Sequence, residues 1–175
     1  MANAQSHLDF PGMALWFKFR NFLHPRDKLL AEIPVRPGDA VMDYGCGPGA
    51  SILPLAERVG PEGIVYAVDI HPLSIKYVQE IVEKHRLGNV RTILTDAITG
   101  LPMATVDAVC LFDVFHALEQ PARAIREIHR VLKPEGILFF SDHAMRHEEI
   151  IAGVTRGGLF WLAGRGERTY SFSKG

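Results

Sequence analysis

The stretch that decides the fold is residues 41–49, VMDYGCGPG. It joins an apolar run that is typical of a buried strand to an amphipathic segment with helical spacing. Its three glycines, Gly45, Gly47 and Gly49, let the backbone turn sharply and approach a ligand closely, because they have no Cβ. The sequence therefore predicts a strand–turn–helix unit whose turn forms one wall of a ligand site.

The spacing of these glycines distinguishes the loop from one that binds a dinucleotide. A dinucleotide loop follows the pattern Gly-x-Gly-x-x-Gly, whereas this chain has Gly-x-Gly-x-Gly with Asp43 two residues before it. An acidic side chain there would repel a diphosphate but can face an ammonium group, and the start of the following helix offers N–H groups to a carboxylate. A zwitterionic amino-acid tail suits such a loop. A purely structural glycine turn is the alternative.

Two further acidic residues follow the next two predicted strands. Asp69 ends the second strand, where its carboxylate can accept hydrogen bonds from both hydroxyls of a ribose, and Ile70 beside it can cover one face of an adenine. Asp96 follows the third strand and can accept from an adenine amino group, while the Ala97 N–H donates to the ring. The alternative role for Asp69 is that of a helix N-cap before Pro72.

The rest of the chain predicts a doubly wound α/β fold, because short β-branched runs alternate with amphipathic segments. A helix over 148–155 and an antiparallel hairpin around residues 164–166 would complete a seven-stranded, mostly parallel, Rossmann-like sheet with helices on both faces. Residues 134–136, PEG, are predicted to turn the chain into the fifth strand. The five parallel strands are expected at 40–44, 64–69, 90–95, 108–113 and 137–141, the first three helices at 51–59, 72–86 and 121–132, and the hairpin strands at 159–163 and 169–172.

Composition excludes several classes of protein. A formal net charge of −1 over 175 residues argues against a general nucleic-acid binder. No apolar run is long enough for a transmembrane helix, and the first residues lack the pattern of a secretory signal. The two cysteines, Cys46 and Cys110, form no CxxC pair, so a reducing, cytoplasmic setting is expected.

An aromatic-rich segment over residues 10–23 precedes the first strand. We predict that residues 1–33 form a helical lid or cap over an apolar acceptor and that residues 34–175 form a single core domain. The alternatives for the aromatic segment are burial against the core, a homodimer interface and contact with a membrane surface.

The chain resembles class I S-adenosylmethionine-dependent methyltransferases from about residue 35 to residue 140. Besides the glycine loop, the resemblance is carried by residues 106–113, VDAVCLFD, and residues 128–136, IHRVLKPEG. Within the class, the chain is most similar to small-molecule enzymes of the quinone-biosynthesis group. The resemblance implies S-adenosylmethionine as the cofactor. The predicted cofactor-binding residues are Asp43, Tyr44, Gly45, Cys46, Gly47, Gly49, Asp69, Ile70, Asp96, Ala97, Phe112 and Asp113.

The chain departs from some branches of the class. The fourth strand is followed by Phe112-Asp113-Val114-Phe115 rather than Asn-Pro-Pro-Tyr, which disfavours methylation of adenine N6 or of glutamine amides. The paired cysteines of arsenic-methylating relatives are absent as well.

Two histidines stand near the ends of predicted strands four and five. We predict His116 and His143 as candidate general bases, because imidazole titrates near neutral pH and open α/β sheets bind ligands at strand carboxyl ends. The alternative is that each caps a helix or bonds a backbone carbonyl. His143-x-x-x-His147 with Asp142 imitates a metal site but lacks a third firm ligand, so no metal is predicted.

The sequence thus favours transfer of a methyl group to a small, apolar or aromatic molecule. The alternative is a catalytically idle cofactor-binding module, or an activating subunit of another methyltransferase. A nicotinamide oxidoreductase is a third and weaker alternative.

Overall fold

A seven-stranded mixed sheet forms the centre of the computed structural model, which describes residues 26–175. The strand order is β3-β2-β1-β4-β5-β7-β6; the first five strands are parallel and the last two antiparallel. This confirms the predicted doubly wound α/β fold. The strands are β1 Ala40–Tyr44, β2 Ile64–Asp69, β3 Val90–Leu94, β4 Val106–Phe112, β5 Leu132–Ser141, β6 Phe160–Arg165 and β7 Tyr170–Lys174.

Within residues 26–175, five α-helices and one 3₁₀ turn surround the sheet. Proline opens α3 and α4, where its missing N–H costs nothing. The last turn of α3 is followed by Arg86 in the left-handed conformation, with φ of 53°, which ends the helix. The elements are α1 Asp27–Leu30, α2 Ile52–Val59, α3 Pro72–His85, the 3₁₀ turn Phe115–Ala117, α4 Pro121–Val131 and α5 His147–Thr155.

The core lies on both faces of the sheet because neighbouring strand residues point in opposite directions. In β1, Val41 belongs to the apolar cluster that contains α2 and part of α3, whereas Met42 belongs to the cluster that contains α4 and α5. Both side chains are wholly buried. Coverage on both faces explains why the strands read as continuous apolar runs.

The beginning of β5 differs from the sequence prediction. Residues 134–136 were expected to form a turn, but β5 begins at Leu132, immediately after α4. Leu132 pairs with Val106, and the register then shifts so that Ala108 pairs with Ile137. The proline and glycine are therefore accommodated in a bulge within the strand, where Gly136 lies too close to Leu132 and to the Asp107 carbonyl for a side chain to fit.

The first described residues pack against the rest of the domain. Leu30 and Ile33 are buried in the core cluster that contains α2. The Glu32 carboxylate accepts hydrogen bonds from the N–H groups of Arg168 and Thr169 and from the Thr169 hydroxyl. This contact ties the segment before β1 to the loop between β6 and β7. The predicted aromatic lid over residues 10–23 lies outside the described residues.

The strand order creates a crevice next to β1, because β2 and β3 are added on one side of β1 and β4 and β5 on the other. β1 lies between β2 and β4, so the connections from β1 and β4 leave toward opposite faces. Ligands of open α/β sheets bind outside the carboxyl ends of strands at such a point. Within residues 26–175, no helix combines the length and the apolar character that crossing a bilayer requires.

Candidate functional site

A cleft of about 320 Å³ lies at the carboxyl ends of β1, β2 and β4. This volume falls at the lower end of the range for ligand pockets, about 300–1,000 Å³. The cleft contains several residues that the sequence predicted for cofactor binding. Its lining comprises Tyr44, Gly45, Val68, Asp69, Ile70, Thr95, Asp96, Val114, Ala117, Leu118, Glu119, Gln120, Arg123 and Ala124.

The glycine loop is held in place by its own backbone donors. The N–H groups of Gly45 and Cys46 both donate to the Val68 carbonyl of β2, at 2.8 and 3.0 Å. A Cβ at Gly45 would lie 2.6 Å from a methyl carbon of Val114, so only glycine fits beneath that side chain. Gly47, with φ of 51°, faces open space. The loop therefore contributes its shape, while these two N–H groups are already used within the protein.

Asp69 is fixed at the end of β2 by two backbone donors. Its carboxylate accepts from the Gly47 N–H and from the His71 N–H, each at 2.8 Å. The N-cap of α3 is His71, whose Nδ1 accepts from the Leu73 N–H. The alternative assignment of Asp69 as this N-cap is therefore wrong. Ile70, with 68% of its surface exposed, lies beside Asp69 in the cleft lining.

Asp43 lies almost completely buried behind the glycine loop. The pKa of its carboxyl group is raised from 3.8 to about 6, mainly by loss of solvation and to a smaller extent by the negative charge of Asp69. The positive charge of Arg26 and a hydrogen bond from Ser51 partly oppose this rise. A buried carboxyl with this pKa is largely ionised at neutral pH and would be stabilised by an added positive charge.

The opposite end of the cleft is more exposed. The Asp96 side chain is 61% exposed and lies 3.4 Å from a guanidinium nitrogen of Arg123. The Ala97 N–H donates weakly to the Thr95 hydroxyl at 3.3 Å, and the Ala97 carbonyl accepts from the Tyr44 hydroxyl at 3.4 Å. Burial and nearby carboxylates raise the pKa of Tyr44 to about 12, so this phenol stays protonated.

Burial also governs the protonation state of the two cysteines. Loss of solvation raises the pKa of the Cys46 thiol and that of the Cys110 thiol, and Asp43 raises both further. Both cysteines are free and remain thiols at neutral pH. Cys46 therefore contributes to the loop as a small buried side chain.

Arg26 is a residue of this site that the sequence interpretation missed. Its guanidinium carbon lies 5.9 Å from the centre of the Phe112 ring, and one nitrogen lies 3.6 Å from an Asp113 carboxylate oxygen. Phe112 itself is buried in the core. Arg26 stands in an ordinary mixed segment 17 residues before Asp43, where no motif singles it out.

Two aspartate–histidine pairs lie at the carboxyl ends of β4 and β5. Nδ1 of His116 lies 2.8 Å from Oδ1 of Asp142, and Nδ1 of His143 lies 2.9 Å from Oδ1 of Asp113. The two imidazole rings are in edge-to-face contact, with their centres 5.7 Å apart. Asp113 adopts φ of 55°, which is strained for a residue with a side chain. The structure thus brings together the two histidines that the sequence singled out.

The same cluster is relevant to metal binding. Asp113, Asp142 and His143 each offer a ligand-type atom, and these atoms lie within 4.8 Å of one another. This is the one such group found among residues 26–175. Since each carboxylate also accepts a hydrogen bond from an imidazole, the arrangement can equally orient bases for proton transfer. His147 lies apart from the group and bonds the Tyr170 hydroxyl at 3.0 Å.

Comparison with known proteins identifies the class. Residues 36–159, well over half of the chain, match the protein family described as Methyltransferase domain, and the chain belongs to that family. A crystal structure of a SAM-dependent methyltransferase from Aquifex aeolicus is 27% identical and superposes with a TM-score of 0.76, covering 89% of this chain and 91% of the other. These findings confirm the predicted resemblance to S-adenosylmethionine-dependent methyltransferases.

Two curated relatives show which kinds of methyltransferase the chain is similar to. A demethylmenaquinone methyltransferase of Geobacillus kaustophilus (strain HTA426) is 32% identical over 120 residues, which are 68% of this chain and 51% of the relative. A nocamycin O-methyltransferase of Saccharothrix syringae is 37% identical over 112 residues, 62% of this chain and 39% of the relative. The chain therefore spans about half, or less, of the length of these relatives.

Proposed function

We propose that this protein transfers the methyl group of S-adenosylmethionine to a small, apolar or aromatic molecule. The observation that carries the proposal is the placement of Asp69. Two backbone N–H groups fix its carboxylate at the rim of a cleft that also contains the glycine loop. A carboxylate held in this way is preorganised to accept hydrogen bonds from the hydroxyls of a ribose.

The residues present fit S-adenosylmethionine at three points. Asp43 provides a buried negative charge for the ammonium group, and the uncovered face of Gly47 leaves room for the amino-acid tail. Asp69 would hold the ribose. Asp96 and the exposed side chain of Ile70 would border the adenine. Tyr44, Gly45, Cys46, Gly49, Ala97, Phe112 and Asp113 complete the proposed set by shaping or supporting this cleft.

The cofactor supplies an activated methyl group, because its sulfonium is already a good leaving group. The protein therefore has to align the acceptor with that group and exclude water from the contact. The ends of β4 and β5, which carry His116 and His143, border the place where an acceptor would lie. Residues 1–33 would serve as a lid, and the described part of this segment already reaches the site through Arg26.

Names of the relatives support a small acceptor. Both act, by name, on small molecules, a demethylmenaquinone and nocamycin. The two buried free thiols are compatible with the reducing cytoplasm, in which we place the activity. Association with a second copy, for which the aromatic segment over residues 10–23 is the candidate interface, stays a prediction.

Titration with S-adenosylhomocysteine, followed by calorimetry, tests the shared claim of cofactor binding. We expect one site per chain, and no binding of NAD at the same concentrations. Incubation with S-adenosylmethionine and a set of small aromatic acceptors then separates an enzyme from an idle module. An enzyme releases S-adenosylhomocysteine only when an acceptor is present, whereas an idle module binds the cofactor without releasing product. Absence of binding at millimolar S-adenosylhomocysteine would refute the proposed function.

A further inference from the structure

The two aspartate–histidine pairs differ in how firmly the carboxylate is held. The Asp142 side chain is wholly buried. Its oxygens accept from the N–H groups of His116 at 3.1 Å and of Ala144 at 3.0 Å, and both lie within 2.9 Å of Nδ1 of His116. A buried carboxylate needs donors on all sides. Nδ1 of His116 therefore carries the proton and donates it to Asp142.

The consequence for His116 is a fixed tautomer. With the proton on Nδ1, the lone pair of the ring is on Nε2. No described residue forms a hydrogen bond with Nε2, and the side chain is 35% exposed. Val114 and Ala117, on either side of His116 in the chain, both line the cofactor cleft. Nε2 is thus an oriented proton acceptor on a residue whose chain neighbours line that cleft.

The second pair is arranged less tightly. The His143 side chain is 55% exposed, and its partner Asp113 also lies 3.6 Å from Arg26. The Asp113 carboxylate accepts from both the backbone N–H and Nδ1 of His143. Because its charge is shared with a guanidinium, Asp113 holds the His143 ring less selectively than Asp142 holds that of His116.

Resting on the proposed function, we propose that His116 is the general base of the reaction, that Asp142 is its positioning residue, and that the acceptor carries an ionisable hydroxyl group on an aromatic ring. A phenol, with a pKa of about 10, is almost fully protonated at neutral pH and needs a base. An uncharged amine already has a free lone pair, and an aromatic thiol ionises without help. An oriented imidazole is therefore of most use to a hydroxyl.

The step balances without any further reactant. Nε2 of His116 takes the hydroxyl proton, and an electron pair of the oxygen forms the new bond to the methyl carbon. The bond between that carbon and sulfur breaks, with its electrons staying on the sulfur, so that S-adenosylhomocysteine leaves. His116 is then a cation paired with Asp142 and returns its proton to water.

Two titratable groups contact this histidine, and two further charged groups lie beyond them. Asp142 stabilises the protonated ring, Asp113 adds a second negative charge, His143 contacts the ring edge, and Arg26 partly neutralises Asp113. Only unprotonated His116 can accept a proton.

The experiment compares three acceptors that share one ring system: 2-naphthol, 2-naphthylamine and naphthalene-2-thiol. Release of S-adenosylhomocysteine is measured by mass spectrometry. We expect naphthol to react at least tenfold faster than the amine or thiol after subtraction of the enzyme-free rate. His116→Ala should lower kcat with naphthol about 100-fold or more. Added imidazole should raise the kcat of this variant at least tenfold. The matched control His85→Ala, at the exposed end of α3, should keep full activity.

The positioning role of Asp142 has its own readouts. Asp142→Asn should lower kcat more than it changes KM, because the imidazole loses its fixed orientation. In the wild-type protein, nitrogen-15 NMR should show His116 with its proton on Nδ1, and the missing signal in His116→Ala assigns the resonance. This measurement needs no folded Asp142 variant. A proton on Nε2 instead would overturn the positioning role.

Several outcomes would overturn the inference as a whole. They are equal rates for naphthol and naphthylamine, no turnover of naphthol, or an activity in His116→Ala within threefold of wild type. Loss of naphthol turnover in a chelator would also overturn it, because it would assign the cluster to a metal ion. If the wild-type protein binds S-adenosylhomocysteine in each of these cases, only the base and the acceptor class fail. If it does not bind, the proposed function itself fails.

Discussion

The two halves of the candidate site, the cleft with its glycine loop and the adjoining aspartate–histidine cluster, are built in different ways. At the ends of β1 and β2, the site consists of backbone shape and of one carboxylate that two backbone N–H groups hold. At the ends of β4 and β5, it consists of side chains that contact one another across 26 to 30 residues of sequence. The first half is suited to one invariable ligand, whereas the second can be altered residue by residue. Such a division is what a common cofactor and a variable acceptor require.

The largest effect is expected at Gly45, where the claim that the shape of the backbone defines the cofactor half can be tested. In Gly45→Ala, the new Cβ would meet Val114 at 2.6 Å in a backbone with φ of 81°. Strain and overpacking together should lower the free energy of unfolding by about 2–4 kcal/mol, and S-adenosylhomocysteine binding should be lost. Denaturant unfolding and calorimetry measure these two effects.

Two variants serve as controls for Gly45→Ala. Adding Val114→Gly should recover part of the loss, because the clash with the Val114 side chain is removed while the backbone strain at position 45 remains. Gly88→Ala, at a glycine with open space around it, should leave cofactor affinity unchanged. If Gly45→Ala were as stable as Gly88→Ala, the shape of the loop would not be the constraint we describe.

The next effect concerns Asp69, the carboxylate of the cofactor half that two backbone N–H groups hold. Asp69→Ala removes the proposed ribose partner and should weaken S-adenosylhomocysteine binding by about 1–3 kcal/mol. Asp96→Ala, which removes an exposed carboxylate, should cost less than about 1 kcal/mol. Calorimetry on both variants measures the difference. An affinity of Asp69→Ala equal to that of wild type would show that the ribose is held elsewhere.

A pH dependence of cofactor affinity is expected from Asp43. The pKa of this carboxyl is raised to about 6, so below that pH most of the carboxyl groups are protonated. The proton has to be released before Asp43 can pair with an ammonium group. Affinity for S-adenosylhomocysteine should therefore rise by about tenfold per pH unit from pH 4.5 to pH 6 and reach a plateau above pH 7. Asp43→Asn should remove this slope, and a slope that persists would assign it to another group.

The same shift affects stability in the absence of ligand. The folded state holds the Asp43 proton more tightly than the unfolded chain, in which the carboxyl has its ordinary pKa of 3.8. The contribution of this group to stability is thus fully present below pH 3.8 and falls as pH rises toward 6. Unfolding of wild type and Asp43→Asn, compared across this range, would isolate it.

The smallest effect is expected at Arg26 and tests whether the two halves influence each other electrostatically. The positive charge of Arg26 lowers the pKa of Asp43, and its guanidinium pairs with Asp113, so Arg26 acts on both halves. Arg26→Ala should raise the pKa of Asp43, because a stabilising positive charge is lost, and should move the affinity profile to higher pH. At pH 7, the loss of affinity should be below about tenfold. An unchanged midpoint would mean that the two halves are electrically independent.

The cofactor half could be predicted from the sequence because its constraints are local. Glycine spacing, one acid before the loop and one at the end of the next strand all follow from backbone geometry. The sequence could not show that the Gly45 and Cys46 N–H groups bond to Val68, since such pairing depends on the neighbouring strand. It also could not show the bulge that makes Leu132 the first residue of β5.

The other half was predictable only in part. His116 and His143 were singled out because they follow strands that end at the same edge of the sheet, but their aspartate partners are set by the register between β4 and β5. The contribution of Arg26 was missed because it reaches the site from a segment without a periodic pattern. The assignment of all these residues to cofactor or acceptor stays a prediction until ligand binding is measured.

The order of the last two strands has a consequence for synthesis. β7 lies between β5 and β6, so β6 emerges from the ribosome before the strand that pairs with it exists. Until β7 is added, β6 and the outer edge of β5 carry open backbone donors and acceptors, the kind of edge on which nascent chains associate wrongly. The loop that follows β6 also carries the donors that bind Glu32. The segment from Arg168 through β7 thus completes both the sheet and the contact with Glu32, so the domain can become fully native only after β7 has left the ribosome.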